Sequence, residues 1–174
     1  MANAKPRPRL DSISWEELNR LDDDDREVAV IEWVGRHLES TGDELKSLEL
    51  LPRGLQIFYL SFVVEAEVMN GGFNQFFWNS SSRYAPLIEP ALGELGAAQA
   101  SLIFREAWAV AISENAGRPE SEELSLETFS ASYQNNRLND FDAEFCALAM
   151  QFPVLRRHVV DANEPTFFVM SREG

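Results

Sequence analysis

The chain has 174 residues, of which 45% are hydrophobic and 25% are charged, and its formal net charge at pH 7 is −14. Twelve Phe and four Trp supply enough apolar surface for a sizeable core, which excludes an intrinsically disordered chain. No apolar run reaches the roughly 18–20 residues of a membrane span. A single cysteine, Cys146, excludes an intramolecular disulfide framework. With no apolar stretch after the basic N-terminus, these features predict a cytoplasmic protein.

The acidic residues are concentrated outside the middle of the chain. Residues 51–110 are nearly neutral, whereas residues 1–50 and 111–174 each carry an excess of acids. Such a negative field repels nucleic acids and anionic membranes, and it attracts basic proteins, including proteins that bind DNA. Because solubility alone explains many acidic compositions, both interpretations stay open at this point.

Helical signals begin near the N-terminus and follow one another closely. Residues 14–17 have capping-box spacing, which predicts a short helix. The four consecutive acids Asp22–Asp25 precede an amphipathic stripe over residues 28–38, and the positive end of a helix dipole favours acids at this position. A break at residues 41–43 separates this helix from a short one over residues 44–51.

The hydrophobic centre of the chain is a predicted helix over about residues 53–69. Asn70-Gly71-Gly72 ends it, because Asn and Gly tolerate the left-handed backbone conformation. A short helical turn at Phe73–Trp78 and a polar stop at Asn79–Ser82 follow. The predicted buried stripe of the long helix consists of Leu55, Phe58, Phe62, Glu65, Ala66 and Met69, and it is widened by Tyr59, Val63 and Val64.

The second half of the chain continues the helical pattern, and strand signals are nearly absent. The predicted segments are helices at 87–95 and 98–112, a polar loop at 115–121, a short helix at 124–133, a helix capped by Asn139, a helix from Pro153 to about Val160, and a short strand-like patch at 166–169. We therefore predict an all-α fold of about seven to nine helices. Its parts are a flexible basic arm at residues 1–12, a single helical domain at 13–165 and a tail at 166–174.

The usual catalytic sequence patterns are missing. There is no G-x-S-x-G, no P-loop and no G-x-G-x-x-G, and neither His37 nor His158 lies in an H-E-x-x-H motif. We therefore predict no enzyme activity, no cofactor and no metal site. Glu65 is unusual because it falls on an apolar stripe. We interpret it as a structural acceptor for amides at Gly71-Gly72 or at the Asn79–Ser81 stop. The alternative is a general base in a pocket, which would make the chain an uncharacterised enzyme.

The strongest local signal is the segment Asn70–Ser81, which we call the corner segment. Its two glycines permit a close reversal of the chain, and its Asn and Gln side chains can satisfy exposed backbone groups. Its aromatic side chains, Phe73 and Phe76–Trp78, anchor it. Either the segment is a packed structural corner, or its aromatic side chains meet a partner or a second copy of the chain.

Glu67–Ser80 resembles the signature of a bacterial family of unknown-function domains that includes a DNA-mimic protein from Neisseria. The signature reads approximately N-G-G-F-x-Q-[FY]-[FL]-x-N, and the resemblance covers roughly Leu48–Val160. The residues that we assign to the family motif, with a structural or an interface role, are Glu65, Glu67, Asn70, Gly71, Gly72, Phe73, Gln75, Phe76, Phe77, Asn79 and Ser80.

The resemblance implies an all-helical acidic protein that acts as a homodimer and regulates transcription. Its surface carboxylates would imitate duplex phosphates and occupy the DNA site of a basic DNA-binding protein, with no direct contact to nucleic acid or membrane. Because duplex DNA carries one charge per about 1.7 Å of axis, acids on several elements are needed. We assign partner binding to Asp22, Asp23, Asp24, Asp25, Glu27, Glu120, Glu122, Glu123, Glu127, Asp140, Asp142 and Glu144. The alternative is an immunity or scaffolding protein that binds through the aromatic motif.

Overall fold

The computed structural model describes residues 15–114, 126–134 and 137–162. In these ranges the chain forms nine α-helices and one 3₁₀-helix, with no strand, which confirms the all-α prediction. The helices are α1 Trp15–Leu18, α2 Asp23–Glu39, α3 Glu44–Leu50, α4 Arg53–Trp78, the 3₁₀-helix Ser80–Tyr84, α5 Ala85–Leu95, α6 Ala98–Ser113, α7 Leu126–Ser132, α8 Asn139–Ala149 and α9 Phe152–Ala162. None of these helices is long and apolar enough to cross a membrane.

Several predictions fall on residues outside the described ranges. These are the arm at residues 1–12, the cap at Ser14, the loop at 115–121, the patch at 166–169 and the acids Glu120, Glu122 and Glu123. The chain divides into two compact units, Met1–Tyr59 with Arg156–Gly174, and Leu60–Leu155. The boundaries of a single domain at residues 13–165 stay a prediction.

In the first unit, the aspartate run begins helix α2. The Asp22 carboxylate accepts a hydrogen bond from the Asp25 amide at 2.9 Å, and Asp23, Asp24 and Asp25 occupy the first turn. Capping and the helix dipole thus give these acids a structural role. Helix α3 begins in the same way, because the Asp43 carboxylate accepts a hydrogen bond from the Lys46 amide at 3.2 Å.

Ion pairs join α2 to the part of α9 that belongs to the same unit. Arg156 is buried, forms an ion pair with Glu27 and has its guanidinium carbon 5.8 Å from the centre of the Phe58 ring. Arg157 pairs with Asp23 near the surface. Two of the acids predicted to bind a partner are therefore paired within the unit itself.

In the second unit, the buried side of α4 differs from the predicted stripe. Val64, which widens the predicted stripe, is buried as expected. Leu60 and Val68 are also buried, whereas Glu65 is half-buried and Met69 is 48% exposed. The predicted members Leu55 and Phe58, which precede this unit, are buried, but Phe62 is half-buried and Ala66 is exposed. The helix is apolar on most of its circumference, so periodicity alone could not select the packed side.

The rest of the second unit packs around phenylalanine rings of α4, α6 and α8. Phe73 lies 5.0 Å from Phe145, and Phe76 lies 5.5 Å from Phe104, measured between ring centroids. The predicted cap at Asn139 is wrong: Asn139 is the first residue of α8, and the preceding Leu138 makes no side-chain capping bond. Leu138 is itself fully buried, so packing rather than a polar cap holds this helix start.

Candidate functional site

The corner segment begins with a kink in helix α4. The backbone leaves helical geometry at Gly71 (φ −155°, ψ 26°) and at Gly72 (φ 72°, ψ −178°) and then resumes a helix through Trp78. Gly72 needs its positive φ, which L side chains rarely adopt. A Cβ atom built on Gly72 would also overlap the Asp142 carboxylate. This confirms the predicted glycine reversal and adds a reason for it, the close approach of α8.

Asp142 binds the amide that the kink exposes. Its Oδ1 accepts a hydrogen bond from the Phe73 amide at 2.9 Å, and the side chain is half-buried. Burial raises the pKa of the Asp142 carboxyl, and the hydrogen bond from Phe73 offsets part of that rise. Asp142 therefore faces the kink of α4, so its assignment to a partner-binding surface is not supported by its position.

Glu67 gathers the polar side chains of the corner segment. Its Oε2 accepts from Gln75 Nε2 at 2.9 Å and from Asn79 Nδ2 at 2.8 Å, and its Oε1 accepts from Ser81 Oγ. Asn70 Nδ2 donates to Gln75 Oε1 at 3.0 Å, which extends the network. Gln75 and Asn79 are thus linked directly through one carboxylate, and Asn70 joins them through Gln75.

Two other acids accept hydrogen bonds at the two places predicted for Glu65. Asp142 accepts at the glycine reversal, and Glu67 accepts at the Asn79–Ser81 stop. Residues two apart on a helix face roughly opposite directions, so Glu67 lies on a different side of α4 from Glu65. Glu67 was within the motif, but nothing in the sequence pattern distinguished it as the acceptor.

Helix α7 and the residue after it lie against the corner segment. Tyr133 OH donates to the Gly71 carbonyl at 2.7 Å, and the buried Asn74 donates through Nδ2 to Ser132 Oγ at 2.7 Å. The rings of Trp78 and Phe129 are 5.5 Å apart. Burial raises the pKa of the Tyr133 phenol, an effect that its hydrogen bond with Asn74 opposes. Sequence reasoning missed these contacts, which join residues about sixty positions apart.

The aromatic side chains of the corner segment are mostly inside the unit. Phe73 and Phe76 are fully buried, Phe77 is 7% exposed and Trp78 is half-buried. A surface that binds a partner through these rings requires exposed Phe or Trp. The burial of the three Phe side chains therefore favours the packed-corner interpretation.

The acids near the N-terminus are partly engaged within the first unit. Asp22 caps α2, Asp23 pairs with Arg157 and Glu27 pairs with the buried Arg156. Asp22 and Asp24 are exposed to solvent, and Asp25 is half-buried. These contacts give Asp22 a structural role at the start of α2, and they give Asp23 and Glu27 ion pairs with arginines of α9.

The acids toward the C-terminus include several exposed side chains of the second unit. Glu127 of α7 and Asp140 and Glu144 of α8 are exposed, in contrast to Asp142 on the same helix. Within the described ranges, no group of three His, Cys, Asp or Glu side chains is arranged to hold a metal ion.

A family model described as DMP19-like protein matches residues 49–163, about two thirds of the chain. The chain belongs to the DMP19-like protein family. Searches of curated proteins and of solved structures found no significant match. The matched region agrees closely with the resemblance inferred from the sequence, Leu48–Val160.

The DMP19-like region contains the corner segment, α7 and the exposed acids of α8. It begins after Asp22–Asp25 and Glu27, so the N-terminal acids lie outside the part of the chain that defines the family. Family membership therefore bears on Glu127, Asp140 and Glu144 more directly than on the aspartate run.

Proposed function

We propose that this DMP19-like protein binds a basic DNA-binding protein and occupies the surface that would otherwise hold DNA. The observation that carries the proposal is that the family-defining region presents exposed carboxylates on two helices, Glu127 on α7 and Asp140 and Glu144 on α8. A chain with a formal charge of −14 attracts a basic surface. The resemblance to a DNA-mimic family suggests that this basic surface is one that otherwise binds DNA.

The spacing of these carboxylates supports a surface composed of more than one helix. Asp140 and Glu144 are four residues apart, so they lie about 6 Å apart along α8. Duplex DNA has one charge per about 1.7 Å, which a single helix does not reach. Glu127 adds charge from a second helix. The assignment of Glu120, Glu122 and Glu123 to partner binding rests on the family resemblance alone.

The proposed mechanism is competitive binding and not catalysis. The two carboxylates at the corner segment, Glu67 and Asp142, accept hydrogen bonds from the protein itself. They position the kink, and the exposed acids are left to meet a partner. From the same family resemblance we infer a transcription-regulating role and a homodimer, and from the composition we infer a cytoplasmic location. Light scattering of the purified chain checks the dimer.

The test is capture of partners on the immobilised full-length chain, followed by two separate elutions. We expect a DNA-binding protein to be retained at low salt and released both by a short DNA duplex of random sequence and by raised salt, because ion pairs are screened. Retention that persists in excess duplex DNA would show that the partner's DNA site is free, and it would overturn the proposal.

A further inference from the structure

The side chains of helix α7 that the structure describes are at most half-buried. Phe129, Ser132 and the adjoining Tyr133 are half-buried, and Glu127 and Ser130 are exposed. The helix has seven residues, whereas isolated helices shorter than about 12–15 residues are marginal in water. Its helical state therefore depends on docking.

The docking site consists of three points on the corner segment, the Gly71 carbonyl, the Asn74 amide and the Trp78 ring, which we call the α7 seat. Tyr133 OH bonds to the first, Ser132 Oγ accepts from the second, and Phe129 contacts the third. Asn74 is 2% exposed, so loss of its bond to Ser132 Oγ would weaken the hydrogen bonding of a buried amide. The seat thus favours the docked helix through a few directional contacts.

An ion pair joins the residues on either side of the segment that carries α7, and it involves no residue of the α7 seat. Arg137 donates through Nε to Glu114 Oε1 at 2.7 Å and through its backbone amide to Glu114 Oε2 at 3.2 Å. Glu114 follows α6 and Arg137 precedes α8. Release of α7 therefore need not separate α6 from α8.

We propose that α7 is a strap that leaves and returns to the α7 seat by local unfolding while the rest of the second unit stays folded. In the closed state the strap fixes the position of Glu127. In the open state it frees Glu127 and exposes the Asn74 amide and the Trp78 ring. The functional half of this inference, that the closed strap is the form that binds a partner, rests on the proposed function.

Hydrogen exchange of the unmodified full-length chain tests the strap directly. We expect amides of α7 to exchange at least about tenfold faster than amides of α6, through an opening that low urea hardly affects, because local opening exposes little surface. Exchange of α7 and α6 with the same protection and the same urea dependence would show that they unfold together, and it would overturn the strap.

A matched pair of variants tests the seat. The double variant Ser132→Ala/Tyr133→Phe removes two hydroxyl groups that contact the seat, whereas Ser130→Ala removes a hydroxyl group from an exposed position of the same helix. We expect α7 exchange to rise about tenfold further in the double variant and to stay unchanged in Ser130→Ala. Unchanged α6 exchange confirms that the variant is folded. If the α7 amides exchange at the same rate in the wild type and in both variants, the contacts with the seat do not hold α7 in place.

The functional half is tested by capture of the duplex-released partner described above. We expect the double variant to retain at most about a third as much partner as Ser130→Ala, since an open strap no longer holds Glu127 in place. Equal retention would refute the functional half and leave the proposed function intact. Absence of any duplex-released partner would refute the proposed function and this half together, while the exchange results would still decide the strap itself.

Discussion

At the scale of single residues, two carboxylates explain why the corner segment has its composition. Glu67 accepts from the side chains of Gln75, Asn79 and Ser81, and Asp142 accepts from the Phe73 amide. The sequence indicated that some inward carboxylate would satisfy this corner. Periodicity, the only guide in the sequence, indicated Glu65. The acceptor roles of Glu67 and Asp142 depend instead on the kink in α4 and on the position of α8, which lies far along the chain.

Replacing Glu67 with Ala should destabilise the fold strongly. Three part-buried donors would lose a charged acceptor, and hydrogen bonds to charged groups contribute about 1.5–3 kcal/mol each, non-additively. We expect the free energy of unfolding to fall by about 2–4 kcal/mol in urea denaturation. The control Glu106→Ala removes an exposed carboxylate from α6. A loss no larger than that of the control would contradict the network's structural role.

The raised pKa of Asp142 predicts a pH dependence of stability with a definite sign. The folded-state pKa lies above the unfolded value of about 3.9, so the folded state binds the proton more tightly. The contribution of Asp142 to stability is then fully present below about pH 3.9 and is lost as pH rises through the folded pKa.

The variant Asp142→Asn should isolate that contribution, because it keeps an oxygen acceptor for the Phe73 amide and cannot ionise. We expect the stability of the wild type minus that of the variant to decrease between about pH 3 and pH 6. Urea denaturation at several pH values measures this difference. An increase over the same range would show that the folded protein prefers the ionised carboxyl.

At the scale of elements, Gly72 shows how backbone geometry and packing act together. Both Gly72 and Gly42 have a positive φ, near 72° and 75°. A Cβ on Gly72 would meet the Asp142 carboxylate, and one on Gly42 would meet nothing within 4 Å. We expect Gly42→Ala to cost about 1 kcal/mol through strain alone and Gly72→Ala to cost clearly more, about 2–4 kcal/mol. Equal losses in thermal or urea denaturation would contradict the close approach of α8.

The ion pairs of α2 predict a similar contrast between two acids. Glu27 faces the buried Arg156, whereas Asp23 and Arg157 are both well exposed. Removing the partner of a buried charge costs about 3–5 kcal/mol, and an exposed pair contributes less than about 1 kcal/mol. Urea denaturation should therefore show a larger loss of folding free energy for Glu27→Gln than for Asp23→Asn. The reverse order would show that Glu27 is free to serve a partner.

Helix positions were predictable because they depend on local signals, and side-chain pairings were not. The stripe over residues 28–38 identified α2, and the glycine stop marked the place of the kink. The pairs Glu27–Arg156 and Phe73–Asp142 join residues far apart in sequence, and only the folded packing brings them together. The acids thus appeared as one functional class in the sequence, although the structure gives several of them internal partners.

At the scale of the whole molecule, the net charge of −14 has at least two structural origins. One part of the charge has structural roles: Asp22 caps α2, and Asp23 and Glu27 form ion pairs with arginines of α9. Another part, Glu127, Asp140 and Glu144, is exposed within the region that defines the DMP19-like family. The proposed function depends on the second part, so charge position rather than total charge should control partner binding.

The most direct test of this claim compares two variants with the same change in charge. Glu127→Gln/Glu144→Gln neutralises exposed acids inside the family region, and Glu32→Gln/Glu39→Gln neutralises exposed acids of α2 outside it. With the partner that duplex DNA releases, we predict that the first variant weakens the Kd at least about tenfold and reduces its salt dependence. The second should stay within about twofold of the wild type. Equal losses in both variants would show that only total charge matters and would contradict DNA mimicry by this surface.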